Sequence, residues 1–149
     1  MKIVKATESD ILELYRLQLL SFESEAEMIG SRKVPALMES EADFKAAFNQ
    51  WLTYKMIDDA GQIIGGIRYK YDDGYVDVGR LMVHPEYRQQ GLAQKLLAFV
   101  DEHCSSKRRV LYTCTKSWIN IKLYTKMGYK PIKEEQDGTG LSFVYMEKR

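Results

Sequence analysis

Cysteine is scarce in this chain: of 149 residues only Cys104 and Cys114 carry a thiol, and they form neither a CxxC pair nor a disulfide framework. No apolar run is long enough to span a bilayer. The opening "MKIVKATESD" turns polar at once, so it lacks the apolar stretch of a signal peptide. Charge of one sign is also lacking. The formal net charge is +1, which gives no global field toward nucleic acid or anionic membrane. There is no internal repeat, no low-complexity tract and no Pro/Gly/Ser-rich linker. No His, Cys and Asp residues stand at metal-ligand spacing, so no metal is expected. Together these absences predict a reduced cytoplasmic protein of one domain over 1–149, with no nucleic-acid or membrane partner.

What remains is ordinary for a soluble globular chain: 45% hydrophobic and 29% charged residues, enough for a sizeable core. The pattern predicts a mixed α/β (α+β) fold. "KIVKA" reads as a strand. Thr7 and Asp10 form a plausible cap pair for the helix that follows, where Ile11, Tyr15, Leu19 and Phe22 recur at helical spacing. The acidic stretch "ESEAEMIGSRKVPALMESEAD" reads as irregular, with a short helix after it near "EADFKAAFNQ". "WLTYKMID", "IIGGIRYKY" and "YVDVGRLMV" are separated by "DDAGQ" and "DDG" turns, which predicts an antiparallel meander. A helix from about 91 to 105, the strand "RVLYTCT", the helix "SWINIKLYTKM" closed by Gly128, and a final hairpin complete the order. The strand–helix–strand passage in the middle implies one parallel pair. The sheet is thus expected to be mostly antiparallel, with about four helices around it.

"HPEYRQQGLAQKLL", residues 84–97, passes from loop to helix at Arg88-Gln89-Gln90-Gly91. Leu92, Ala93, Leu96, Leu97 and Val100 lie on one helical face. A helix start has unpaired N–H groups and a partial positive charge. A glycine there lets backbone donors converge on an anion, and Arg88 adds a cation. The Walker and G-x-G-x-x-G patterns are both missing.

The segment "LMVHPEYRQQGLAQKLL" resembles the acetyl-coenzyme A motif of the GNAT superfamily of N-acetyltransferases. Arg88, Gly91 and Ala93 fill the three defined positions of its Arg/Gln-x-x-Gly-x-Gly/Ala element. The resemblance implies that backbone N–H groups of Arg88, Gln89, Gln90, Gly91, Leu92 and Ala93 hold the coenzyme pyrophosphate. It also implies that the strand edge at Leu81, Met82 and Val83 pairs with the pantetheine arm. "SWINIKLYTKMGY" is similar to the family's later motif, Asn-x-x-Ala-x-x-x-Tyr-x-x-x-Gly-Phe. Tyr124, Gly128 and Tyr129 fall at its last three positions, while Ser117 replaces Asn and Asn120 replaces Ala. Ser117, as helix cap, and Asn120, on the Tyr124 face, are the candidates for a polar coenzyme contact.

Acetyl transfer to an amine needs a protonated leaving thiolate, and Tyr124 is the expected general acid. A strand N–H near Val83 would polarise the thioester carbonyl. Where many relatives carry a strand Glu as base, this chain has Gly79 followed by Arg80; the base stays open. Glu23, Glu25, Glu27, Glu39, Glu41 and Asp43, with Trp51 and Tyr54 nearby, suggest a wall for a cationic acceptor. The expected partner is a small-molecule or peptide amine, and a homodimer is left open. A non-catalytic acyl-coenzyme A sensor is the alternative reading.

Overall fold

A computed structural model describes residues 1–149. The central element is one seven-stranded sheet in the order β1-β2-β3-β4-β5-β7-β6. Strands β1 (Lys2–Lys5), β2 (Leu52–Ile57), β3 (Ile63–Asp72) and β4 (Tyr75–Val83) pair antiparallel in sequence order. Strand β5 (Arg109–Cys114) lies parallel to β4. Strands β6 (Lys130–Gln136) and β7 (Ser142–Lys148) form the closing hairpin, with β7 inserted against β5. The mixed α/β architecture, the meander and the parallel pair are those expected from the pattern.

Five helices cover the sheet: α1 (Ile11–Ile29), α2 (Pro35–Met38), α3 (Glu41–Phe48), α4 (Leu92–His103) and α5 (Trp118–Lys126). The first of these corrects the sequence reading. The helix does not stop at Phe22 but runs through "ESEAEMI" to Gly30, because Glu, Ala and Met favour helix and no breaker precedes that glycine. Its start is held as expected, with the Thr7 N–H donating to Asp10 Oδ2 at 2.9 Å.

Each sheet face has its own core. On one, Ile67, Tyr69, Val76 and Val78 pack with Leu92, Leu96, Leu97 and Val100 of α4 and with Tyr124 of α5. On the other, Ile11, Leu14 and Leu17 of α1 meet Phe44 and Phe48 of α3 and Met82 of β4. Gly65 and Gly66 on β3 permit this close layering. A Cβ on Gly66 would lie 3.0 Å from Met82 Cε and 3.4 Å from Leu14 Cδ2, and one on Gly65 would lie 3.3 Å from Leu96 Cδ1. A third cluster joins Ile29 and Val34 to Cys114, Leu141 and Phe143. Cys114 is therefore a packing thiol.

Two features of β4 shape the site. It pairs with β5 only at Val76–Arg109 and Asp77–Val110, after which the strands separate. On its other side the register with β3 slips, so that Arg80 and Leu81 stand opposite the single residue Ile67. Arg80 takes φ +47 at this bulge, a strained value for a residue with a side chain.

Candidate active site

The turn before α4 is an open cradle of donors. Gln89 and Gly91 have φ of +61 and +76, and Gly91 caps the helix. None of the backbone N–H groups from Arg88 to Gln94 has a hydrogen-bond acceptor within the protein. Three or four such groups are normal at a helix start; here the turn adds more. The Arg88 side chain does not join them. Its guanidinium donates to the Ser21 carbonyl at 3.0 Å and to the Ser24 hydroxyl, both on α1. Arg88 thus ties the turn to α1 and leaves the backbone to face the groove.

A groove of ≈ 360 Å³ runs from this turn along the edge of β4, lined by Gly91, Leu92, Ala93, Val83, Leu81 and, from α5, Asn120. The Val83 N–H points away from β3 and is met by Ser21 Oγ at 3.3 Å. Leu81 lies on the same strand edge by alternation. Met82 is buried beneath, in the α1 core.

Leu81 and Asn120 are shared with a second, deeper cavity of ≈ 70 Å³ between the separated strands. Tyr124, Glu25, Thr113, Gly79 and Arg80 also line it. Asn120 Nδ2 donates to Thr113 Oγ1 at 3.5 Å, and Thr113 Oγ1 donates to Glu25 Oε1 at 3.4 Å. Ser117 is fully buried and stands at the N-cap of α5, as the sequence predicts, but its hydroxyl makes no capping hydrogen bond. Its hydroxyl lies beside Glu25 without full hydrogen-bond geometry and, with Thr113, opposes the upward push of burial on that carboxyl. Burial is the stronger effect, so the Glu25 pKa is raised. Tyr124 is 7% exposed, and burial, then the Glu25 charge, hold its phenol above the usual tyrosine range.

Glu25 is the residue that sequence reasoning left in a crowd of carboxylates. A signal was present: Leu14, Gln18, Ser21 and Glu25 fall at spacings of three and four on one helical face, so the buried face turns polar midway. The other acidic residues do not converge. Glu23 pairs with Arg32, Glu27 is exposed, and Glu39 accepts from Gln18 Nε2 at 2.9 Å and faces Arg80 at 3.4 Å. The charges nearest Gly79 are instead arginines: Arg68 and Arg80 are mostly buried there, and a Cβ on Gly79 would lie 3.7 Å from the Trp51 ring. The cationic-acceptor wall expected from the sequence is not assembled. No group of three or more His, Cys, Asp or Glu side chains is placed to hold a metal, and no helix is long and apolar enough to cross a membrane.

A sheet that parts after a two-residue parallel seam stands here beside a donor cradle at a helix start. Residues 20–149 match the family model described as the acetyltransferase (GNAT) domain, and the chain belongs to that family. The fold is shared over 99% of the chain with a GNAT-family acetyltransferase of Staphylococcus aureus, 18% identical, TM-score 0.77, of which it covers 99%. The ribosomal-protein-S18-alanine N-acetyltransferase of Escherichia coli is 17% identical, with TM-score 0.79 over 99% of this chain and 92% of that one. The PaiA N-acetyltransferase of Thermoplasma acidophilum, solved in complex with coenzyme A, is 19% identical, with TM-score 0.73 over 99% and 98%. A curated relative, the UPF0157 protein YqkA of Bacillus subtilis, is 28% identical over 130 residues, 87% of this chain and 37% of the relative. The chain thus spans little more than a third of that protein's length.

Proposed function

We propose that this protein transfers the acetyl group of acetyl-coenzyme A to an amine of a small molecule or peptide. The observation that carries this reading is the continuity of the two cavities at Leu81 and Asn120: a donor cradle for phosphate leads along a free strand edge into a small polar chamber under Tyr124. The N–H groups of Arg88, Gln89, Gln90, Gly91, Leu92 and Ala93 hold the pyrophosphate. The Leu81–Val83 edge takes the pantetheine arm, and Asn120 lies where that arm enters the chamber. Ser117, buried against Glu25, supports the chamber from behind rather than touching the coenzyme.

In the reaction a C–N bond forms between amine and acetyl carbon while the C–S bond breaks. The Val83 or Leu81 N–H stabilises the charge that develops on the carbonyl oxygen. Tyr124 gives its proton to the departing sulfur; its raised pKa keeps that proton in place until a strong base, the thiolate, is formed. Glu25 takes the proton that the amine loses. Burial makes it a better base than an exposed glutamate, and Thr113 and Asn120 fix its orientation. Gly79 carries no base, so in this chain the carboxylate comes from α1 rather than from β4.

Thiol release with a panel of amines, run beside calorimetry of acetyl-coenzyme A, tests the proposal. Submicromolar to micromolar coenzyme binding with turnover of at least one amine class is expected. Binding without any turnover would favour the sensor, and no binding would end both readings.

A further inference from the structure

Beyond Gly79 the open sheet face carries a cation with no partner. Arg68 is 8% exposed, and its guanidinium carbon lies 4.2 Å from the centroid of the Trp51 ring. It makes no ion pair, and its Nε is buried without an acceptor. Arg80, re-aimed into the chamber by the bulge, also has a buried Nε without an acceptor. Glu39, Tyr112 and Asp77 act on Arg68 only through space, with no hydrogen bond or ion pair, and a buried guanidinium without a paired acceptor is unfavourable unless a ligand supplies one.

None of the neighbouring acids pairs with Arg68. Glu39 serves Gln18 and Arg80. Asp77 stands directly opposite Lys70 in the β3–β4 register, one pair removed from Arg68. Glu25 lies deeper, on Thr113. At the far end of the face Glu135 pairs with Lys133, and Asp137 accepts from Thr139. Lys70, whose Nζ lies 4.5 Å from the centroid of the Trp51 ring, adds further positive charge. Burial and the like charge of Arg80 lower the Arg68 pKa to about 10, which still leaves it charged at neutral pH.

We propose that Arg68, seated on Trp51 beside Gly79 and Arg80, binds an oxyanion of the acceptor, so that the acceptor class is an amine bearing a carboxylate. A planar guanidinium with free N–H groups suits a carboxylate. The absence of a side chain on Gly79 keeps the path between the two arginines and the chamber short. This inference rests on the acetyl-transfer reading above, and it reverses the charge of the acceptor expected from sequence.

The test has two arms. In the first, thiol release is measured for a set of amino acids, each beside its primary amide, its decarboxylated amine and its aminophosphonate analogue. The carboxylate form of the best acceptor is expected to exceed its amide at least tenfold in kcat/KM, the scale of a charged hydrogen-bonded pair. Arg68→Gln should remove that preference by raising KM, and Arg68→Lys should restore part of it, with coenzyme affinity unchanged in both. Turnover of the phosphonate analogue as well would show a site for oxyanions generally. In the second arm, calorimetry compares N-acetyl amino acids with their amides on coenzyme A-loaded wild-type protein, so it reads anion recognition even where transfer fails. An equal or better response to the amide or the decarboxylated amine overturns the proposal, and so does a carboxylate preference that survives Arg68→Gln.

Discussion

The Thr113 hydroxyl of β5 donates to the Glu25 carboxylate of α1 at 3.4 Å, across 88 positions of sequence. This contact brings a helix from the start of the chain into the split between β4 and β5. It places a carboxylate where the β4 strand itself offers only Gly79.

Replacing that carboxylate separates chemistry from folding. The folded-state pKa of Glu25 is raised, so between its ordinary and its raised value the folded protein binds more protons than the unfolded one, and stability falls as pH rises through that window. Glu25→Gln should therefore raise the melting temperature at neutral pH, with the gain shrinking as pH falls through that window and largely gone below the ordinary carboxyl value of 4.5. If Glu25 takes the amine proton, kcat should fall about tenfold or more in the same variant. The acid limb of the wild-type pH–rate profile should lie above the ordinary glutamate range. A variant that is both stabilised and fully active would remove Glu25 from the chemistry.

Tyr124→Phe keeps the ring packed against Tyr129, whose centroid is 6.1 Å away, and deletes only the hydroxyl. Coenzyme affinity should survive, while kcat drops about tenfold to a thousandfold. An unaltered kcat, with the chemical step shown to be rate-limiting, would exclude the general-acid role.

Gly91 has open space around its missing Cβ, but its φ is +76. Gly91→Ala should therefore lower stability by about 1 kcal/mol through backbone strain alone. Gly91→Glu adds negative charge at the donor cradle and should weaken coenzyme binding far more than the alanine change does. Calorimetry on the two variants side by side checks this.

Gly66→Ala addresses the layering instead. Its new Cβ would press on Met82 Cε and Leu14 Cδ2, and a loss of about 1–3 kcal/mol in denaturant unfolding is expected. The site itself should retain its coenzyme affinity while the protein stays folded.

The strand meander, the α4 and α5 helices and the 88–93 turn were legible because each rests on local chemistry: period-two alternation, turn dipeptides, an apolar helical face and a glycine at a helix start. The length of α1 was obscured because its acidic second half mimics a loop in composition, although Ser21 and Glu25 continue the inward face of Gln18. Glu25 could not be told from Glu23 or Glu27 without knowing that the face is buried. Arg68 was hidden for another reason. It sits in a strand among "IRYKY", where a cation reads as solvent-facing, and only the Trp51 ring folded over it takes it out of water. The bulge at Arg80 left no mark in the sequence, since nothing in a non-glycine residue announces a left-handed backbone.

The two-residue seam at Val76–Arg109 and Asp77–Val110 has a mechanical consequence. The sheet is a plate cracked along most of the line between its four-stranded and three-stranded parts, bridged by helices on both sides. A molecule lodged in that crack acts as a splice, lending hydrogen bonds to an edge that has none from β5. The plate is then stiffest when loaded, so a rise in melting temperature with coenzyme concentration reports the closing of the fracture as well as binding at the helix start.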